Sequence, residues 1–188
     1  MPNPPAVFLR FCFFFGALTS DHSNTYKNQV VGDEIILMNS EDHLREAEDY
    51  FHNRIPLTRA MGLRVTESNI DRFAVEAPVS LNSNHLGTAF GGSINVVTMA
   101  AYGFLWVRLR EEAVDVVIRD SSIRFLHPVT EIIHAICTSP DPKEWQSFEA
   151  ILHAKGKARI ALHVRLEERG RDVAKLKGTF VAIRRSVH

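Results

Sequence analysis

The residues best placed to do chemistry lie in one stretch, Asn84-His85-Leu86-Gly87-Thr88-Ala89-Phe90-Gly91-Gly92-Ser93. It is a polar, glycine-bearing loop that runs straight into a long apolar segment, SINVVTMAAYGFLWVRLREE. Gly91 and Gly92 therefore stand where a helix begins. Glycine lets another group come close to the backbone. The first-turn N–H groups of a helix have no partner within it, and the helix dipole adds partial positive charge there. A thioester carbonyl placed against such a turn would have its oxygen polarised. Charge developing on that oxygen would meet preorganised donors, each worth about 3–4 kcal/mol of barrier. The apolar helix behind the turn could line a tunnel for an acyl chain.

Each of these residues also has a plainer reading. A Gly-Gly pair can serve only close helix–sheet packing; its place between a polar loop and the most hydrophobic segment of the chain puts the functional reading ahead. His85 is as much a solvated loop histidine as a substrate contact. Ser93 and Asn95 could hydrogen-bond a ligand from the first turn, with Ser93 favoured because Asn95 can satisfy local backbone. Thr98 and Tyr102 read as core polar groups, and Phe104 and Trp106 as packing residues. Asp120 pairs structurally with Arg119 or Arg124, or takes part in catalysis. Arg59, Arg124 and Arg184 could hold phosphates, although most arginines are surface groups.

The elements that must position the loop follow from periodicity. Ser40 can cap a helix with Glu41 and Asp42 in its first turn, carrying Leu44, Ala47 and Phe51 on one face and ending at Pro56. LTRAMG reads as a short helical turn closed by Gly62. Leu63/Val65 and Phe73/Val75/Ala77 alternate as two strands of a hairpin, joined by the turn residues SNID and ending before Pro78. The segment from Ser93 to Glu112 is apolar nearly all round until Arg108, which predicts a buried helix of roughly 27–30 Å. DVVIRDSSIRFLHPV and EIIHAICTS then alternate as strands. Asp141 and Pro142 open a further helix that Gly156 closes. ARIALHVRLEE and DVAKLKGTFVAIRR form a last hairpin about Arg169 and Gly170. An antiparallel sheet wrapped around one buried helix satisfies this order, an α+β architecture.

The 188 residues suit one domain, and 22 basic against 22 acidic residues give no net charge. Nothing global therefore points to nucleic acid or an anionic membrane. Two cysteines, Cys12 and Cys137, make neither a disulfide framework nor a zinc site, and no metal or other cofactor is expected. A reducing cytoplasm is the simplest location. Residues 6–18 are apolar but too short to span a bilayer and are interrupted by Arg10. Residues 1–38 read as a weakly ordered leader or an upstream extension of the frame, with the domain proper at 39–188.

The segments NSNHLGTAFGGS, IRDSSIRFLHPV and the late strand KGTFVAIR resemble the hotdog-fold thioesterase family typified by the C-terminal half of YiiD-type acetyltransferase fusions. The resemblance runs from about Asn39 to Arg184. The wider acyl-CoA thioesterase branch carries a similar loop, N-x-x-G-T-x-H-G-G, which Asn84, Gly87, Thr88, Gly91 and Gly92 match. That branch implies that Asn84 positions the thioester or the attacking water and that the Gly91 amide is an oxyanion donor. His85, Phe90, Gly92 and Ser93 of the same stretch are the candidate substrate contacts, and Asp120 falls where the branch has a polar strand residue near the subunit boundary. Two departures stand out. Phe90 replaces the histidine, and Met99 stands where the branch has its helix carboxylate, the usual base or nucleophile. His85, a partner's Asp120, or a water held by Asn84 and Ser93 are the substitutes. The resemblance implies hydrolysis of acyl groups on coenzyme A or acyl carrier protein. Malonyl-acyl-carrier-protein decarboxylation is the main alternative, because it needs no activated water. A non-catalytic acyl-thioester binding module is a third reading. It further implies a homodimer, or a dimer of dimers, joined through the strand after the central helix.

Overall fold

The computed structural model describes residues 27–31, 34–38, 40–95, 98–110 and 112–185. A hairpin, β1 (Lys27–Val31) and β2 (Glu34–Met38), forms a two-stranded sheet of its own. It lies inside the segment expected to be a leader; residues 1–26 of that segment fall outside the described residues. Helices α1 (Ser40–Arg54) and α2 (Pro56–Ala60) follow. Pro56 separates them because it suits the first position of a new helix, where no N–H is needed. Gly62 then turns the chain at φ +64°.

Strands β3 (Arg64–Ser68) and β4 (Arg72–Pro78) make the first hairpin. Its turn is held by Asn69, whose Oδ1 accepts from the amides of Asp71 at 2.9 Å and Arg72 at 2.7 Å. Pro78 belongs to β4, one residue beyond the expected end, and pairs with Ile132. The stretch expected to be loop begins with a helical turn, α3 (Val79–Asn82). The expected long helix is described as α4 (Gly91–Ile94) and α5 (Thr98–Leu109), with 96–97 outside the described residues, and it ends at Leu109 rather than Glu112.

The remaining strands are β5 (Val114–Phe125), β6 (Ile132–Thr138), β7 (Lys157–Glu168) and β8 (Arg171–Arg184), with α6 (Pro142–Lys155) between β6 and β7. The Asp141 side chain caps α6 through the Lys143 amide, and Gly156 ends it in the left-handed conformation. Arg169 and Gly170 both have positive φ, which matches the twist of the β7–β8 hairpin. The six strands form one antiparallel sheet in the order β3-β4-β6-β7-β8-β5.

This sheet curls around α5, whose Met99, Ala100, Ala101, Phe104, Leu105 and Leu109 are buried. Phe51 of α1 meets Phe73 edge-on at 5.8 Å, and Tyr50 stacks on Trp106 at 5.1 Å, so α1 closes the side the sheet leaves open. At the far end of α5 the Arg108 guanidinium lies 4.1 Å from the Trp145 ring of α6 and donates to the Ile70 carbonyl. A sheet wrapped around one apolar helix is the hotdog fold expected from the sequence.

Gly103 shows how closely helix and sheet meet. A Cβ there would fall 2.3–2.6 Å from the Phe73 ring, which is fully buried and has nowhere to move. Gly103→Ala is therefore expected to destabilise the fold by about 1–3 kcal/mol, the usual cost of overpacking. Denaturant unfolding measures this; an unchanged midpoint would contradict such close packing.

Candidate active site

The loop that precedes α4 is built by Asn84. Its Oδ1 accepts from the Leu86 amide at 2.8 Å and the Thr88 amide at 3.3 Å. Its Nδ2 donates to Thr88 Oγ1 at 2.9 Å and to the Ala89 carbonyl at 3.4 Å. Its backbone N–H donates to the Thr88 carbonyl at 2.8 Å, and Gly87 crosses the turn at φ +74°. Both ends of the Asn84 amide are thus committed within the loop, so in this arrangement it shapes the loop rather than reaching outward.

Two further bonds tie the loop to the fold. The Ala89 amide donates to the Val129 carbonyl at 2.8 Å, and the Phe90 amide to the Asn82 carbonyl at 2.7 Å. Asn82 is itself buried, and its Nδ2 donates to the carbonyls of Met61 and Pro78 at 2.9 and 2.8 Å. It therefore fixes the residue before Gly91 to α2 and β4 together. Sequence reasoning missed Asn82. The one available signal was a second asparagine two positions before Asn84, in a stretch read as loop.

Phe90 is the N-cap residue of α4, at φ −68° and ψ 131°, and no side chain caps the helix. Among the described residues no acceptor takes the Gly91 N–H. A Cβ at Gly91 would meet only the ring tip of Phe125, at an ordinary 3.6 Å. A Cβ at Gly92 would meet the Phe90 ring first, at 2.4 Å, and that ring is 56% exposed. At Gly91, unlike Gly103, packing does not demand a glycine. What remains is an uncapped first turn with the exposed Phe90 ring against Gly92 and the exposed Phe125 ring beside Gly91.

The other expected residues are partly gathered. His85 is exposed on the loop, and in α4 Gly92 is exposed and Ser93 half-buried. Met99, where a carboxylate was awaited, is buried in the core. Asp120 is not brought to the turn within one chain. A bulge at Arg119 in β5 sets it opposite Thr179, on the face away from the buried Phe180. The neighbouring Thr179 hydroxyl, then the Arg119 guanidinium at 2.6 Å, hold its carboxyl below the usual aspartate value. It is a carboxylate that stays ionised, and a weak base.

A cavity of about 410 Å³ lies elsewhere, between α1, the far end of α5 and the start of β5, lined by Tyr50, Tyr102, Trp106, Asp115 and Arg185 among others. Burial and the Tyr50 hydroxyl push the Tyr102 hydroxyl above the usual tyrosine value. This cavity does not include the glycine turn. The turn lies on the chain's own surface, outside any enclosed volume formed by the described residues.

Residues 44–184 match the family described as "Putative thioesterase (yiiD_Cterm)", and the chain belongs to that family. Among solved structures, a protein of unknown function from Chlorobaculum tepidum is 28% identical, with a TM-score of 0.71 over 78% of this chain and 97% of its own. A "putative thioesterase" from Shewanella oneidensis is 27% identical, with a TM-score of 0.68 over 76% of this chain and 99% of its own. A "probable thioesterase" from Pseudomonas aeruginosa shares the fold at 20% identity and a TM-score of 0.65, over 74% of this chain and 94% of its own. Among the described residues no helix is long and apolar enough to cross a membrane.

The Asp120 geometry has a signed consequence. A lowered folded-state pKa means the ionised form stabilises the fold above the ordinary value of 3.8, and that contribution fades as the pH falls through it. The Tm difference between the wild type and Asp120→Asn is expected to be present at neutral pH and to shrink in acid. A difference that grows on acidification would contradict the arrangement.

Proposed function

We propose that the protein acts on acyl thioesters carried by coenzyme A or acyl carrier protein, with the first turn of α4 as its oxyanion site. The single observation that carries this is that α4 starts uncapped at Gly91, a position where a side chain would make only ordinary contact and packing does not require a glycine. In hydrolysis the thioester oxygen would take the Gly91 N–H, held in place through Phe90, Asn82 and the Asn84-built loop. Water would add to the carbonyl carbon and the thiol would leave. The proton acceptor would be His85 or a water held beside Asn84 and Ser93. Family membership supports hydrolysis as the first reading.

A second reading rests on Met99, a buried thioether where hydrolysis would want a carboxylate. A malonyl thioester polarised at the same turn can lose carbon dioxide. The electron pair of the broken C–C bond then becomes an enolate that the same donors stabilise, and a proton from solvent completes the acetyl thioester. No base is consumed in that sequence. A module that binds acyl thioesters without turnover is the remaining reading, and the missing carboxylate is what supports it.

The working unit is proposed to be a homodimer, or a dimer of dimers, joined through β5. That strand is a sheet edge twelve residues long, with Val117, Ile118 and Phe125 each between 44% and 52% exposed. A long apolar edge invites another strand. Pairing there would bring a partner's apolar surface beside the open turn, with its Asp120 on the outer face of the joined sheets. Residues 39–188 are proposed as the acting domain, working in the cytoplasm.

Mass spectrometry of products from malonyl-acyl carrier protein and from a panel of acyl-CoA esters tests the reaction. Free thiol with free acid supports hydrolysis; acetyl thioester without free thiol supports decarboxylation. Binding with no turnover of any thioester would contradict the enzyme.

A further inference from the structure

The outer face of the sheet, away from α5, carries positive charges set side by side. Arg165 of β7 is directly opposite Lys175 of β8, and Lys175 is directly opposite Arg124 of β5. In the next row on that face His163 is opposite Lys177, and Lys177 is opposite Ser122. Like charges directly opposite one another in a sheet are destabilising. Asp172 relieves part of this by pairing with Lys175 at 2.9 Å and Arg165 at 3.8 Å, and Glu167 takes Arg165 at 3.1 Å. Arg124 and Lys177 have no ion-pair partner within 4.0 Å among the described residues, and with Ser122 and His163 they border a shallow groove of about 300 Å³. Asp120, the next outward residue of β5 beyond Ser122, also feels the Lys177 charge. A chain with no net charge has thus placed an excess of basic side chains on three adjacent strands.

Its position ties it to the glycine turn. Arg124 immediately precedes Phe125, whose ring is the neighbour of Gly91 on the inner face. The basic surface thus begins where β5 reaches the site, on the other side of the sheet. Three strands at about 4.8 Å spacing span roughly 10 Å. That open breadth fits several carboxylates of a protein surface better than a single phosphate.

We propose that this face is the docking surface for an acidic carrier protein, which delivers the thioester to the glycine turn on its flexible phosphopantetheine arm. The proposal rests on the acyl-thioester reading above and names the carrier for it. Pairing of β5 with a second copy would extend one basic surface into the next across the joined sheets.

The test is a titration of the full-length protein with holo-acyl carrier protein, at low and moderate salt, for the wild type and for Arg124→Glu/Lys177→Glu. Wild-type binding is expected to weaken with salt, and the double variant to bind about tenfold or more weakly, as for lost electrostatic steering and complementarity. Free coenzyme A is titrated in parallel. Equal binding of the carrier by both proteins overturns the proposal. So does an equal loss for carrier and coenzyme A, which would make the groove a phosphate subsite instead. Should the reversal unfold the protein, Arg124→Gln/Lys177→Gln replaces it; removing cross-strand repulsion is expected to leave its Tm equal or higher. Binding is read without turnover. Carrier binding lost as expected, in a protein that converts no thioester, sinks the enzymatic reading and leaves the docking surface standing; turnover with unchanged carrier binding does the reverse.

Discussion

A helix that is apolar on nearly every side has to be buried on nearly every side, and the rest of the molecule follows from meeting that demand for α5. The sheet supplies the wrap, α1 closes one flank with Tyr50 and Phe51, and Trp145 of α6 covers the far end beneath Arg108. Each large side chain buried this way contributes about 1.5–3 kcal/mol, so displacing the helix would cost more than most domains have to spare. Upstream of α5 the chain first starts the helical turn α4. That start is where the chain places two glycines, no capping side chain and a loop braced by Asn82 and Asn84.

Much of this was legible in the sequence because it is local. The cap at Asp141, the left-handed Gly156, the alternation of β7 and β8 and the turn at Arg169-Gly170 are all written in neighbouring residues, and each element forms where it was expected. What escaped depends on contacts between distant segments. Asn82 acquires its importance from Met61 and Pro78. The bulge at Arg119, which turns Asp120 to the outer face, arises from pairing with β8. The basic rows need Arg124, Lys175 and Arg165 brought into register from three strands, and no window along the chain displays that. Asn84 was found for its place in the motif, yet its amide serves the loop rather than an outward contact.

The chemistry turns on what the site has and what it lacks. As proposed, it would offer the Gly91 N–H to a developing oxyanion, and neither expected source of a carboxylate stands beside it within one chain: Met99 is buried where one was awaited and Asp120 faces away. A polarising site without a strong base suits a bond that breaks once its electrons have somewhere to go. It suits hydrolysis only if a loop histidine, an ordered water or a partner chain supplies the base. Both reactions use the Gly91 amide in the same way, so the claim that the turn is the reaction centre does not depend on choosing between them.

That claim can be tested on one atom. Gly91 is the first residue of α4, where proline is well tolerated, and Phe90 already has the extended backbone that a following proline requires. A side chain at Gly91 meets only the Phe125 ring, at 3.6 Å. Gly91→Pro therefore removes the N–H while leaving the helix in place. The decisive measurement is kcat of this variant on whichever thioester the wild type converts, alongside its Tm. A fall of about 10²–10³-fold, the usual loss for one oxyanion donor, with Tm unchanged or raised, is the predicted result. Wild-type turnover in a fully folded Gly91→Pro protein would mean that the glycine turn is not where the reaction is catalysed.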